Sequence, residues 1–183
     1  MKEVKPYADS DAVQKALDVL ASAIIADRDV SGPRALVGLH QYGVTVAERL
    51  CGIIEARTGC RPLLGKLDIT MYRDDIGVRP TLPAIRETSI PFDLDDAEVV
   101  LVDDVLSTGR TVRAALDALT DYGRPARIRL AVLVDRGKPE YPIRADYAGM
   151  CIDCPANTRV AVEMGDEPGN DRINLEHWSE GKF

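Results

Sequence analysis

Residues 99 to 111 read Val-Val-Leu-Val-Asp-Asp-Val-Leu-Ser-Thr-Gly-Arg-Thr, and no other stretch constrains the fold as strongly. Four apolar residues, three of them valine, describe a strand buried on both faces, the habit of a parallel sheet covered by helices. That strand delivers two adjacent carboxylates, Asp103 and Asp104, to its C-terminal end. A short Ser-Thr-Gly-Arg-Thr turn then opens a helix, where backbone N–H groups and small hydroxyls suit an anion. Acceptors for sugar hydroxyls therefore lie one loop away from a phosphate cradle. A ribose 5-phosphate needs both.

The flanking sequence supplies the rest of an alternating α/β pattern. Asp9-Ser10 caps a helix expected over residues 11 to 27, with Val13, Leu17, Leu20 and Ile24 on one face. A strand is expected over residues 34 to 39, then a helix over 43 to 57 carrying Val46, Leu50 and Ile53, then a strand over 63 to 70. Residues 71 to 96 are polar, hold Gly77, Pro80, Pro83 and Pro91, and show no periodicity. So long a loop in a compact domain is usually functional, often a lid, and residues 71 to 90 are expected to be its most mobile part. Beyond the signature strand, a helix is expected over 110 to 122 with Gly123 as its C-cap. A buried strand over 128 to 134 and an edge strand over 159 to 163 follow. Such alternation predicts a parallel twisted sheet covered on both faces. The last dozen residues, rich in Asp, Asn, Glu and Gly, are expected to be mobile.

At 183 residues and 45% hydrophobic content, the chain is expected to form a single domain over residues 1–183. A formal charge of −7 gives no global electrostatic footprint for nucleic acid. No apolar run reaches membrane-spanning length, and residues 1 to 6 lack a signal-peptide core, so a cytoplasmic location is expected. Cys151-Ile-Asp-Cys154 has metal-ligand spacing, but there is no second pair, and neither His40 nor His177 lies near it in sequence. Ordinary thiols are expected there, and Trp178 reads as a packing anchor.

The pattern of four apolar residues, acid-Asp, two apolar residues and small-Thr-Gly-x-Thr is the signature of type I phosphoribosyltransferases, which bind 5-phosphoribosyl 1-diphosphate (PRPP). A response-regulator receiver also begins with an apolar strand ending in Asp-Asp, but near its N-terminus; here the motif falls past mid-chain. Further segments narrow the resemblance: residues 67 to 75 (Leu-Asp-Ile-Thr-Met-Tyr-Arg-Asp-Asp), Ile90-Pro91-Phe92-Asp93, residues 121 to 126, Leu133-Val134-Asp135-Arg136-Gly137 and residues 142 to 149. Together they resemble the pyrimidine operon attenuator/uracil phosphoribosyltransferase family, PyrR, over roughly residues 10 to 165. The resemblance implies a type I phosphoribosyltransferase fold, with a central twisted parallel sheet flanked by helices, a small hood and a flexible catalytic loop.

It also implies roles. Asp103 and Asp104 would contact the ribose 2- and 3-hydroxyls, while Ser107, Thr108, Gly109, Arg110 and Thr111 would wrap the 5-phosphate. Tyr72 and Arg73 would close over the diphosphate and exclude water. Because PRPP and pyrophosphate are highly anionic, substrate-bound Mg²⁺ is expected, with no resident protein metal. Tyr147 would stack on the base, with backbone groups near Ala148 reading its edge. The family's pyrophosphate turn usually reads Lys-Thr-Arg-Gly; here it is His40-Gln41-Tyr42-Gly43, so two charges are gone while Gly43 is retained. Enzymes for 6-oxopurines carry an acid where this chain has Ser107 and a lysine where it has Asp135, which argues against purines.

The implied activity is conversion of uracil and PRPP to UMP and pyrophosphate, by a homo-oligomer. The alternative is a UMP- or UTP-sensing regulator that binds pyrimidine operon messenger RNA, with or without catalysis; a third is a pocket that holds nucleotide without turnover. Messenger binding needs a basic face, yet residues 11 to 28 carry Asp11, Asp18 and Asp27 against Lys15 and Arg28. Attenuation is therefore expected to be weak, absent or directed at an altered RNA.

Overall fold

The computed structural model describes residues 2–27, 34–75, 85–155, 157–165 and 167–178. The chain opens with strand β1 (Lys2–Ala8) and helix α1 (Ser10–Ala26), followed by β2 (Arg34–Leu39), α2 (Tyr42–Thr58) and β3 (Leu63–Leu67). Next come β4 (Glu98–Leu106), α3 (Arg110–Leu119), β5 (Arg127–Asp135) and β6 (Tyr147–Cys151), then β7 (Thr158–Glu163) and β8 (Arg172–Trp178). Five strands form a parallel sheet in the order β3-β2-β4-β5-β6.

Strand periodicity decides which helix each face receives. In β4, Val100 and Val102 face α1 and α2, whereas Val99 and Leu101 face α3. Ala131 and Leu133 of β5 repeat the first choice, and Leu130 and Val132 the second. The Asp9 carboxylate caps α1 by accepting from the Ala12 N–H at 3.0 Å, so the helix begins close to where the sequence predicts.

A second, antiparallel sheet in the order β1-β8-β7 forms the hood. It packs on the α1–α2 side of the molecule through Val160, Val162 and Ile173. An ion pair between Arg49 of α2 and the buried Asp171 ties the hood to the main sheet. Arg49 also donates to the Gly165 carbonyl at 2.7 Å, and Asp171 accepts from the Gly165 N–H at 3.0 Å.

Several expectations need correction. The chain's last dozen residues are not loose up to Trp178: β8 is the middle strand of the hood, with Ile173 fully buried. Its polar composition hides this because one sheet face is solvated. β1 escaped the sequence reading because it is an exposed edge strand without apolar alternation. Lys2 fastens it, pairing with Glu176 at 2.7 Å and lying 5.7 Å from the Trp178 ring centroid. α3 ends at Leu119, and Gly123 is not its cap. At φ 152°, Gly123 is instead a point of close packing, where a Cβ would come within 2.8 Å of the Leu94 Cβ. β3 stops at Leu67, and a single 3₁₀ turn follows at Thr70–Tyr72. Of the expected mobile segment, residues 76–84 lie outside the described residues. Residues 85–90 are held, since Lys66 and Ser89 exchange two backbone hydrogen bonds of 2.8 Å. No helix among the described residues is long and apolar enough to cross a membrane.

Two glycines let α2 start against the end of β4. A Cβ on Gly38 would lie 2.6 Å from the Val44 Cα, and one on Gly43 would lie 2.5 Å from the Val102 carbonyl oxygen. Backbone meets backbone there, so nothing flexible can yield. Gly43→Ala is expected to lower the thermal midpoint by about 3–9 °C, from about 1–3 kcal/mol of overpacking. Gly52, which has open space around it inside the same helix, should give a slight increase as Gly52→Ala. Differential scanning calorimetry of the two variants checks this, and equal midpoints would contradict it.

Candidate active site

β4 carries the site's two carboxylates out of the core. Asp103 is buried, 4% exposed, and Asp104 half-buried. One Asp103 oxygen accepts from the Asp104 N–H at 3.0 Å, which fixes that carboxyl against the strand end. Burial, and then the charge of Asp104, push the Asp103 carboxyl well above the usual carboxylate range. Asp104 is also raised, by burial, against opposing influences that include the Arg159 guanidinium on the hood strand β7. Such a pair titrates as a unit, and its first proton is held unusually tightly.

The loop between β4 and α3 is shaped for an oxyanion. Gly109 adopts φ 89° at the N-cap of α3, and a Cβ there would press on Tyr141 at 3.2 Å. The Thr108 carbonyl accepts from the N–H groups of Glu140 and Tyr141 at 2.9 and 3.0 Å, so its own loop is braced from outside. The first-turn N–H groups of α3 are those a helix leaves without intrahelical acceptors. Thr108, Gly109, Arg110 and Thr111 thus offer main-chain donors and hydroxyls in one turn. The Arg110 side chain, however, faces outward. It meets Asp74 at 2.6 Å and Glu140 at 3.1 Å, and stacks 5.3 Å from the Tyr141 ring centroid.

The turn after β2 completes the strand-end cluster. Gly43 sits against Val102 and Asp103, with a Cβ position 3.0 Å from the Asp103 Cα, so His40, Gln41 and Tyr42 lie beside the carboxylate pair. The His40 N–H donates to the Leu67 carbonyl at 3.1 Å, and its Nε2 lies 3.3 Å from the Glu87 carbonyl. The His40–Gln41 peptide bond is cis.

Arg73 and Tyr72 part company. The Arg73 guanidinium is bidentate to Asp75, at 2.9 and 3.0 Å, yet lies close enough to pull the Asp103 carboxyl downward. Tyr72 does not reach the carboxylates. Its hydroxyl donates to Asp121, just beyond the far end of the ten-residue α3, and its carbonyl accepts from Arg113 at 2.9 Å. The loop base is set by Asp68, whose carboxylate accepts from the Thr70 N–H at 2.8 Å, the Thr70 hydroxyl at 2.6 Å and the Arg86 N–H. Burial pulls that carboxyl upward, but these hydrogen bonds outweigh it and leave it below its usual range.

The expected base contact at Tyr147 is overturned. Tyr147 begins β6, is 7% exposed, and packs in the core on the α1–α2 side. Its hydroxyl donates to Asp27 at the C-cap of α1, where Arg129 also pairs with Asp27 at 2.8 Å. Burial, and then that hydrogen bond, push the phenol up to about 12. The side chain therefore points toward the edge of the sheet where strands begin, away from the carboxylates. Ala148 packs on the opposite, α3-side core, beside Val132.

Sequence reasoning gave no site role to Arg136, which follows β5. Its Nη1 donates to the Ser107 hydroxyl at 2.7 Å and its Nη2 to the Pro155 carbonyl at 3.3 Å. A charged residue leaving the C-terminal end of a buried strand was the available signal. Asp135 beside it accepts from the Gly137 N–H at 2.7 Å, and its carbonyl accepts from the Ile152 N–H at 2.8 Å. Among the described residues no group of three or more His, Cys, Asp or Glu side chains could hold a metal ion, and Cys151 and Cys154 are free thiols.

The model of the phosphoribosyl transferase domain matches residues 3–166. Among curated relatives, a "Bifunctional protein PyrR" of Deinococcus radiodurans is 48% identical over 166 residues, covering 91% of each chain. One from Roseiflexus sp. is 48% identical over 167 residues, covering 90% of each. Among solved structures, a purine phosphoribosyltransferase of Pyrococcus horikoshii aligns with a TM-score of 0.60 at 26% identity, over 81% of this chain and 87% of that one. A hypoxanthine phosphoribosyl transferase of Trypanosoma cruzi gives 0.65 at 17% identity, over 84% and 80%, a likeness of fold.

The raised carboxyl of Asp103 has a thermodynamic consequence. A carboxyl whose folded pKa exceeds its unfolded value destabilises the fold increasingly as pH rises above the unfolded value, fully once pH passes the folded one, and imposes nothing below the unfolded one. Asp103→Asn is therefore expected to raise the midpoint of the ligand-free protein at pH 7.5. The gain should shrink as pH falls toward 4. Thermal melts across pH test this, and a lower midpoint at neutral pH would contradict it.

Proposed function

The chain belongs to the phosphoribosyltransferase family, in its PyrR branch, and from that premise we propose that it converts uracil and PRPP to UMP and pyrophosphate. The observation that carries the reading is the convergence at the C-terminal ends of β2 and β4. The Asp103–Asp104 pair, the Thr108–Thr111 anion turn and the 40–43 turn meet there, with Arg73 in electrostatic reach.

In this reading the 5-phosphate occupies the first turn of α3, and the ribose hydroxyls face the two carboxylates. Displacement at the anomeric carbon passes through an oxocarbenium-like state, which nearby carboxylate charge stabilises. The 40–43 turn and Arg73 take the diphosphate, which departs on the β2 side. The base approaches the opposite face of the ribose, over the ends of β5 and β6, where Arg136 and the buried Ile152 lie. Two hard carboxylate oxygens, one of them held charged only with difficulty, fit Mg²⁺ arriving on substrate oxygens rather than a resident ion. That ion would neutralise diphosphate charge and improve the leaving group.

Pyrimidine selectivity is supported by Ser107 and Asp135. Neither offers what a 6-oxopurine site uses, since the Ser107 hydroxyl is engaged by a guanidinium and Asp135 bonds its own turn. A second reading, a nucleotide-controlled regulator of pyrimidine operon messenger RNA, is favoured by the shared name of the relatives, which declares two functions. The α1 surface does not favour it: Asp11 and Lys15 are exposed, and Asp18 pairs with Arg57. We read catalysis as the primary role and RNA binding as reduced or redirected.

Pyrophosphate release from PRPP should require uracil, and should not occur with orotate, hypoxanthine or guanine. Asp103→Asn/Asp104→Asn should abolish it, since charge-assisted contacts contribute about 1.5–3 kcal/mol each. Turnover of hypoxanthine without uracil would overturn the pyrimidine reading, and full activity of the double variant would overturn the site.

A further inference from the structure

Arg136 links two walls of the site through its side chain. Its backbone N–H donates to the Leu106 carbonyl at 3.0 Å, and its guanidinium reaches Ser107 and then Pro155. Leu106 and Ser107 end β4 ahead of the anion turn; Pro155 belongs to the segment that leaves β6. The guanidinium therefore spans the ground over the ends of β5 and β6, where the foregoing reading places the base. Its Nε is buried and has no acceptor among the described residues, so this posture is held at some loss of hydrogen bonding.

The chemical effect falls on Ser107. A hydroxyl has one hydrogen and two lone pairs, and here a cation occupies one lone pair at 2.7 Å. The hydrogen must then point elsewhere, and the nearby positive charge repels any further N–H donor. Ser107 is thereby set as a donor. A carboxylate at the same place would do the reverse and accept a hydrogen bond from a ligand N–H.

Resting on the pyrimidine reading, we propose that Arg136 is a positioning residue that fixes the Ser107 hydroxyl as a donor to a ring carbonyl oxygen of the base. The pair reads the base and not the 5-phosphate, whose contacts belong to Thr108–Thr111. Ligands that present a carbonyl at that edge are accepted, and those that present N–H are refused. Arg136→Lys keeps a cation near the hydroxyl and preserves part of the effect, whereas Arg136→Met removes it.

Calorimetric titration of UMP and of ribose 5-phosphate separates base from phosphate without relying on turnover. In Arg136→Met and in Ser107→Ala, the UMP dissociation constant should rise about tenfold, as expected for one hydrogen bond. That for ribose 5-phosphate should stay within about twofold, which also shows that the site is folded. The double variant should be no worse than either single one, because the two residues act as one unit. Arg136→Lys should recover at least half of the lost UMP binding energy. Equal weakening of both ligands would assign the pair to the phosphate and overturn the inference, as would multiplicative losses in the double variant. Unchanged UMP binding in Arg136→Met, with wild type preferring UMP, overturns this inference alone. A wild type that binds ribose 5-phosphate as tightly as UMP has no base subsite, and overturns the proposed function as well.

Discussion

Two adjacent carboxylates at the end of a strand buried on both faces are the constraint around which the rest of this molecule is arranged. Charge at Asp103 is disfavoured by its burial and by Asp104, and is offset by a backbone N–H and by Arg73. A fold that keeps such a pair holds destabilising electrostatics in reserve for a ligand. The surrounding elements supply what the carboxylates lack. The α3 turn offers main-chain donors, Arg73 approaches from the loop, and Arg159 lies on the hood side of Asp104. Apart from the Asp104 N–H bonded to Asp103, these groups influence the pair from a distance, which leaves carboxylate lone pairs for the ligand proposed above.

Legibility in the sequence followed burial. Val99 to Val102 read as a strand covered on both sides, and the positions of Asp103, Asp104 and the turn that opens α3 followed from it. Features whose cause lies far along the chain were not. β1 and β8 pair residues separated by nearly the whole sequence, and each is polar on its solvated face, so neither carries a local period. Gly123 looks like a helix cap because glycine commonly follows helices, but the need it meets is contact with Leu94 from a different segment. Tyr147 followed by small residues suits both a stacking platform and the start of a core strand. Only the tertiary partner, Asp27, separates the two.

The loop that carries Tyr72 and Arg73 is anchored at both described ends. Asp68 gathers Thr70 and Arg86, while Lys66 and Ser89 exchange backbone hydrogen bonds, so the two strands of the loop's neck are clamped together. Beyond the neck, Asp74 is tied to Arg110, whose guanidinium also holds Glu140 and Tyr141. Arg110 thus ties this loop to the turn at the N-terminus of α3, the one proposed above for the 5-phosphate. A phosphate arriving there changes the field at Arg110 and therefore at Asp74. Exposed pairs of this kind contribute little to stability, and a small electrostatic change suffices to rearrange them.

The turn at His40-Gln41-Tyr42-Gly43 lacks the two charges that the resemblance leads one to expect, and the packing explains how its backbone is nevertheless held. The turn's position is set by Gly38 and Gly43, whose hydrogens touch backbone where any Cβ would clash, and by the His40 N–H bond to Leu67. None of these involves the two side-chain charges that are missing. The turn therefore still presents its main-chain groups beside Asp103, and Arg73 is the cation within electrostatic reach of that carboxyl. Geometry and charge are supplied by separate residues here, and the loss of one leaves the other standing.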